Sequence, residues 1–184
     1  SRVEGGDVAR TLLSRPHQFR YRHTANQHLI LVPQISAEER PYLPVGYLAE
    51  DIIVTHLAHV LYDGNIYNFA LLSSKIHQVW LKTVSGRLGN GIRYSSNICW
   101  NAFPVPPLTE KNKIDLTRCA EDILLARETH WPATIADLYD SEAMPENLRQ
   151  AHERNDEVLE RIYIGRRFKN DTERLEKLFE LYTK

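Results

Sequence analysis

Apolar positions along this chain follow two rhythms, and the change between them organises everything else. Residues 1–27 are polar and weakly patterned, with helix-like spacing only around Val8, Leu12 and Leu13. His28 to Val32 is a continuous apolar run stopped by Pro33, which predicts a short buried strand. Ile35 to Leu43 reads as a charged connection, punctuated by Pro44 and Gly46. The β-branched run Ile52-Ile53-Val54 predicts a second core strand, and Asp63-Gly64-Asn65 a turn. After that turn, Ile66, Phe69, Ala70, Ser73, Ile76, His77, Trp80 and Val84 recur at three- and four-residue steps. That spacing predicts one amphipathic helix of about five turns, stopped at Gly86. Arg93 to Trp100 alternates enough to predict a strand, which Pro104, Pro106 and Pro107 end.

Beyond Thr109 the helical period takes over. Leu116, Cys119, Ala120, Ile123, Leu124 and Arg127 mark one helix, and Leu148, Ala151, Val158, Leu159 and Ile162 mark another from about Glu146 to Tyr163. A third starts after Asn170, with Asn170 and Glu173 as N-cap and capping-box partner, and buries Leu175, Leu178, Phe179 and Tyr182. The fold class expected is α+β: a mixed α/β unit over residues 1–108, joined through Phe103 to Leu108 to a small all-helical unit over 109–184.

Composition narrows the class without naming a function. At 42% hydrophobic and 26% charged residues the chain is ordinary for a soluble globular protein. No run of about 18 apolar residues offers a membrane helix, and the first ten residues lack an apolar signal core, so a cytoplasmic protein is expected. Cys99 and Cys119 form neither a C-x-x-C pair nor a zinc spacing and read as incidental thiols. Asn170-Asp171-Thr172 fits a glycosylation pattern, but a helix start is the better reading. The net charge is only −1, yet it is unevenly spread: residues 1–108 hold 10 Lys+Arg against 7 Asp+Glu, and residues 109–184 hold 13 against 17. In the first part the cations are mostly arginine, whose planar fork suits phosphate and guanine.

Candidate chemistry is sparse. His56-x-x-His59 with His77 in reach is the metal-like cluster, but catalytic zinc needs three or four converging ligands, and half-buried histidines in ordinary hydrogen bonds fit better. Ser73-Ser74 and Ser95-Ser96 lie in no nucleophile turn. Gly86-Arg87-Leu88-Gly89-Asn90-Gly91 fits neither phosphate-loop pattern, because its glycines follow a helix and precede a strand. Glu38-Glu39-Arg40 and Asp137 with Asp140 read as surface charge, Asp140 also as a helix start. Of the aromatics interleaved with arginine, Tyr94 beside Arg93 is the one placed near a partner. No catalytic residue and no metal site is assigned.

Three stretches together resemble one family. Val32 to Leu48, VPQISAEERPYLPVGYL, resembles the I-P-x-V-S-S-E-x-R-x-Y-I-P-x-G-F segment of single-chain adenine-specific DNA methyltransferases, the type IIL restriction–modification enzymes and their methylase-only relatives. Leu71 to Pro106 resembles their L-x-S-x-x-H-x-x-W-x-x-x-x-G-R-L-x-x-x-x-R-Y-S-x-x-x-x-x-N-x-F-P-x-P segment. It is carried here by Leu72, Ser74, His77, Trp80, Gly86, Arg87 and Leu88, then by Arg93, Tyr94, Ser95, Asn101, Phe103, Pro104 and Pro106. Leu138-Tyr139-Asp140, Met144-Pro145, Ala151-His152 and Leu178-Phe179 with Tyr182 resemble the family's helical tail.

The resemblance implies a target recognition domain followed by a helical C-terminal region, with double-stranded DNA as partner. It also implies a methyltransferase domain upstream on the same chain, where S-adenosylmethionine binds beside an Asn-Pro-Pro-Tyr loop. This chain has no Asn-Pro-Pro-Tyr and no glycine-rich cofactor turn, so by itself it is expected neither to bind the cofactor nor to transfer a methyl group. Arg87, Arg93 and Lys82 are the expected phosphate contacts, which fix register without carrying sequence information. Base reading falls to Asn90, at the tip of the loop after Gly-Arg-Leu, and to Thr55 and His56 in the second reading region. Asn90 carries the donor and acceptor pair that suits adenine. The alternative is a docking or specificity subunit that contacts protein only, through the acidic helical tail.

Overall fold

The computed structural model describes residues 10, 12–18 and 22–183. Of the early apolar spacing, Val8 lies outside the described residues. The first long element is β1 (His28–Pro33), in which Leu29, Ile30 and Val32 are buried as their unbroken apolar run requires. It is the middle strand of an antiparallel sheet, with β3 (Gly46–Ala49) on one side and β4 (Ala58–Tyr62) on the other. The chain leaves β1 through Gln34 and enters β2 (Ile35–Ala37) within what the charge pattern reads as plain connection. β2 starts a second antiparallel sheet, ordered β2, β6 (Gly91–Arg93), β5 (Gly86–Leu88).

The second core strand is therefore not Ile52–Val54, which lies in the connection before β4, with Ile53 exposed. Its β-branched composition is outweighed by a polar lock downstream. Asp63, at the end of β4, accepts hydrogen bonds from the Asn26 and Gln27 backbone N–H groups at 2.8 and 2.9 Å. These bonds hold the Asp63 carboxyl below its ordinary range, and they tie the end of β4 to the start of β1, pairing Leu29 with Tyr62. Residues 52–54 are left with no strand to join.

The expected five-turn helix is two. Helix α1 (Ile66–Leu72) stops at Ser73, and α2 (Lys75–Val84) begins after Ser74. The Ser74 hydroxyl donates to the Leu71 carbonyl at 2.6 Å and accepts from the His77 N–H at 3.2 Å, so one side chain closes α1 and caps α2. The strand expected over Arg93–Trp100 likewise divides: β6 ends at Arg93 and a π-helical turn follows over Ser96–Trp100. Its Ile98 carbonyl accepts the Trp80 indole N–H at 3.2 Å, and that bond fastens the turn onto α2.

In the second half, α3 (Glu110–Glu128) starts at a Thr109/Asn112 capping box and packs against both α1 and α5 (Glu146–Ile164). The short α4 (Ile135–Leu138) is capped by Thr134 with Asp137, and Asp140 closes a turn rather than starting a helix. At α6 (Asp171–Tyr182) Asn170 is the N-cap, accepting from the Glu173 N–H at 2.9 Å. Glu173 does not complete the box. Its carboxylate takes Arg166 and the Lys169 N–H instead, which hold it down at about 2. Of the α6 residues expected inside, Leu178 is buried and Leu175 half-buried, while Phe179 and Tyr182 are exposed, with their rings tilted against that of Trp80.

One hydrophobic cluster joins both halves, holding Ile30, Phe69 and Trp80 together with Leu116, Ile123 and Leu148. Buried polar contacts cross the same seam. Asp156 on α5 accepts from the Lys75 N–H at the start of α2 (2.7 Å) and from the Tyr42 hydroxyl (2.8 Å). His152 donates through Nδ1 to the Ser73 carbonyl (3.0 Å) and Asn155 to that of Ala70 (2.8 Å).

Candidate nucleic-acid interface

The Gly-Arg-Leu stretch is not a plain turn. It is β5 of a tight hairpin whose tip is Gly89-Asn90, pairing Gly86 with Arg93, Arg87 with Ile92 and Leu88 with Gly91. Gly89 sits at φ +58°, in the left-handed region that glycine enters without steric cost. Gly91 is required for another reason, since a Cβ there would meet Ile35 Cγ2 at 2.7 Å.

Directly opposed residues of antiparallel strands share a face, and this separates the two arginines. Arg87 lies on the face of Ile92 and Ser36, both buried, while Arg93 lies on the other face with Ile35 and Gly86. Arg87 pairs with Glu38, just past β2, in an ion pair exposed on both sides. Among the described residues no ion pair engages Arg93. Lys82 sits half-buried in the last turn of α2, among the charges of Lys75, Asp171 and Glu39. Burial, and then Lys75, push its ammonium below the ordinary value. Asn90 is exposed at the hairpin tip.

Thr55 and His56 are exposed in the connection leading into β4. Gln34 brings that connection beside β6: its N–H donates to the Leu57 carbonyl at 3.1 Å, and its own carbonyl accepts the Tyr94 N–H at 2.8 Å. The result is a cleft lined by Gln34, His59, Gly86, Arg93, Tyr94 and Ser95. A neighbouring cavity of about 250 Å³ shares His59 and Tyr94 and runs on toward Trp100 and Asn101.

Of the six expected site residues, the fold sets Arg93 beside the Thr55–His56 connection, puts Arg87 and Asn90 on the hairpin, and keeps Lys82 apart on α2. Gln34 enters the cleft from outside every candidate group, while His59 and Ser95, which the sequence offers only as a metal-like and a nucleophile-like candidate, enter it as lining. One signal existed for Gln34, a polar residue between Pro33 and Ile35 at the first of the unspecified positions of the Val32–Leu48 pattern. Tyr94 is not at a surface: it is 3% exposed, packed between the His59 and His77 rings. The three histidines have separate duties. His59 lies 3.2 Å from the Tyr94 carbonyl. His77 is fully buried between the carbonyls of Leu72 and Cys99, with burial lowering it to about 4. His56 is exposed, and among the described residues no three His, Cys, Asp or Glu side chains gather as metal ligands.

Residues 1–107 match the family described as MmeI, target recognition domain, and residues 108–184 the one described as MmeI, C-terminal domain. The chain belongs to the MmeI family. It is 40% identical over 167 residues to DNA methyltransferase A of Bacillus subtilis, covering 91% of this chain and 19% of that protein. A solved structure of the type IIL restriction–modification enzyme MmeI in complex with DNA matches 98% of the chain, with a TM-score of 0.90 at 29% identity, and the match covers 24% of the solved chain. The chain thus spans about a fifth to a quarter of the length of these relatives. The hairpin and the cleft lie wholly within the part matched to the MmeI recognition domain. The residues that brace α2 from behind, Asp156 above all, belong to the part matched to the MmeI C-terminal domain.

Proposed function

We propose that this chain is the DNA-reading part of a larger MmeI-family protein that methylates adenine, and that residues 109–184 brace a recognition domain over residues 1–108. The observation that carries this reading is the Gly86–Arg93 hairpin. It presents Asn90 at its tip and Arg93 beside a polar cleft, inside the segment matched to the MmeI target recognition domain. Arg87, Arg93 and Lys82 neutralise phosphates, while Asn90, Thr55 and His56 reach base edges, with Gln34 available from the cleft. Glu38 does not stand in the way, since an exposed ion pair is worth about 0–1 kcal/mol and exchanges for a phosphate.

The methyl transfer belongs to the remainder of the protein. Both sheets here are antiparallel, whereas nucleotide cofactors of this kind sit at the ends of parallel strands. On this reading S-adenosylmethionine is held by the catalytic region, which the antiparallel pairing of both sheets here supports. The protein works where bacterial DNA lies, in the cytoplasm, and no helix of the described residues is long and apolar enough to cross a membrane.

The test is duplex binding followed by fluorescence anisotropy over a range of salt. Arg87→Ala weakens binding to every sequence and reduces the salt slope by about one. Asn90→Ala leaves that slope in place and changes which sequence is preferred. An unchanged slope in Arg87→Ala removes its phosphate role, and salt-insensitive binding by the unmodified protein removes DNA reading altogether.

A further inference from the structure

The small sheet of β2, β6 and β5 turns apolar residues outward. Register sets Ser36, Ile92 and Arg87 side by side on one face, with Ser36 and Ile92 buried. The other face holds Ile35, Arg93 and Gly86 in one row and Ala37, Gly91 and Leu88 in the next. An antiparallel sheet with one covered face ordinarily shows polar side chains to water on the other. Here the bare face is apolar except for Arg93, and Ile35 is 46% and Leu88 56% exposed.

Two glycines keep this face low. A Cβ on Gly91 would meet Ile35 Cγ2 at 2.7 Å, so the isoleucine side chain lies across that glycine. A Cβ on Gly86 would meet nothing within 4 Å, so packing within the fold does not require a glycine there. A glycine inside a strand often marks a place where another molecule approaches the backbone closely. The face runs into the polar cleft, whose lining includes its Gly86 and Arg93. Among the described residues no ion pair engages that arginine. A low apolar strip with an uncompensated cation at one end and Asn90 at the other fits an anionic partner that offers apolar groups within a polar groove.

We infer that this face lies in the major groove of DNA and that Ile35 and Leu88 read the 5-methyl groups of thymine. The inference rests on the DNA reading proposed above, and it names the surface that reads and the chemical group that is read. The major groove, about 12 Å wide, admits a two-stranded β-ribbon, and it is the groove in which thymine displays its methyl group. Apolar side chains contact that methyl group, while Asn90 suits adenine, so Leu88 and Asn90 address the two partners of A·T pairs. Arg93 sits at the end of the hairpin away from its tip, where the phosphates of the groove wall lie. Arg87 is on the edge strand β5, from which its long side chain reaches the wall around the edge of the sheet.

The experiment uses the full-length protein and the duplex it selects from a random pool. That duplex is prepared with thymine and again with uracil, which lacks only the methyl group, and fluorescence anisotropy reads both affinities. The thymine duplex is expected to bind about fourfold tighter or more, the worth of one buried methyl group. In the Ile35→Thr, Leu88→Ser double variant that ratio falls to about one. The salt slope is kept, since neither residue is charged. Equal affinity of the unmodified protein for the two duplexes overturns the inference. So does a ratio that survives in the double variant, which means that duplex shape and not methyl contact sets it. Leu88→Ser alone, at an exposed position, decides the same point if the double variant does not fold, because the ratio then drops by about half or more. Sedimentation without DNA adds a separate check. A dimer that Leu88→Ser disperses makes the face a contact between copies and overturns the inference. Duplex binding without salt dependence would instead remove the DNA reading itself, so the two failures are distinguishable.

Discussion

Arg87 and Arg93 are six positions apart in sequence and point to opposite faces of one small sheet, so the hairpin does not form a single basic surface. Arg93 borders the cleft, and Arg87 is paired with Glu38 in an exposed ion pair on the other face. What holds this geometry is small. Gly91 admits β2 against β6, and a methyl group there would lie 2.7 Å from Ile35 Cγ2, an atom on a stiff β-branched side chain. Gly91→Ala therefore destabilises the fold by about 1–3 kcal/mol and weakens duplex binding as β2 is pushed off. Gly86 differs: a Cβ there meets nothing within 4 Å. Gly86→Ala is neutral or stabilising by up to about 1 kcal/mol. Urea unfolding of the two variants side by side checks the contrast. Equal effects would show that Gly91 is not a packing requirement.

At the scale of elements, the break between α1 and α2 sets where the hairpin is launched, because β5 begins two residues after α2 ends. The apolar three-and-four spacing continues through the break, because α1 and α2 each bury the same sector, and so it does not reveal it. The Ser73-Ser74 pair does carry a local signal, the hydroxyl that competes for backbone groups. Ser74→Ala removes a buried bond in each direction and costs about 1–2 kcal/mol by urea unfolding. A cost near zero would mean that the helix break is held by the packing of Trp80 and Asp156 alone.

For the molecule as a whole, burial controls the protonation of His77 inside the first half and of His152 and Asp156 at the seam between the halves. Burial holds His77 and His152 neutral, lowering them from 6.5 to about 4 and about 3. The unfolded chain takes up two protons that the fold refuses, so the stability present above 6.5 is lost as pH falls. Asp156 opposes them. Burial pushes it up to about 7, so the fold retains a proton that the unfolded chain releases. Its contribution is full below 3.8 and is lost as pH rises through about 7. Between roughly pH 4.5 and 6 two histidines outweigh one carboxyl, and acid destabilises the protein. Asp156→Asn removes the opposing group and makes that decline steeper, as read from urea midpoints at several pH values. A decline of unchanged steepness would show that Asp156 is already ionised in this range.

What the sequence by itself determined was local: the apolar run of β1, the turn at Asp63, the α3 and α5 helices, the N-cap at Asn170, and the three motif-bearing stretches that mark the family. Each depends on neighbours within a few positions, where period and side-chain chemistry act directly. The tertiary structure alone decided the rest. It placed β4 at Ala58–Tyr62 and not at Ile52–Val54, because Asp63 binds backbone 36 and 37 positions away. It buried Tyr94, left Ile35 and Leu88 exposed, set Arg87 and Arg93 on opposite faces, and brought Gln34 into the cleft. These outcomes turn on strand pairing and on contacts across the chain, and no pattern of residue types along the chain contains them.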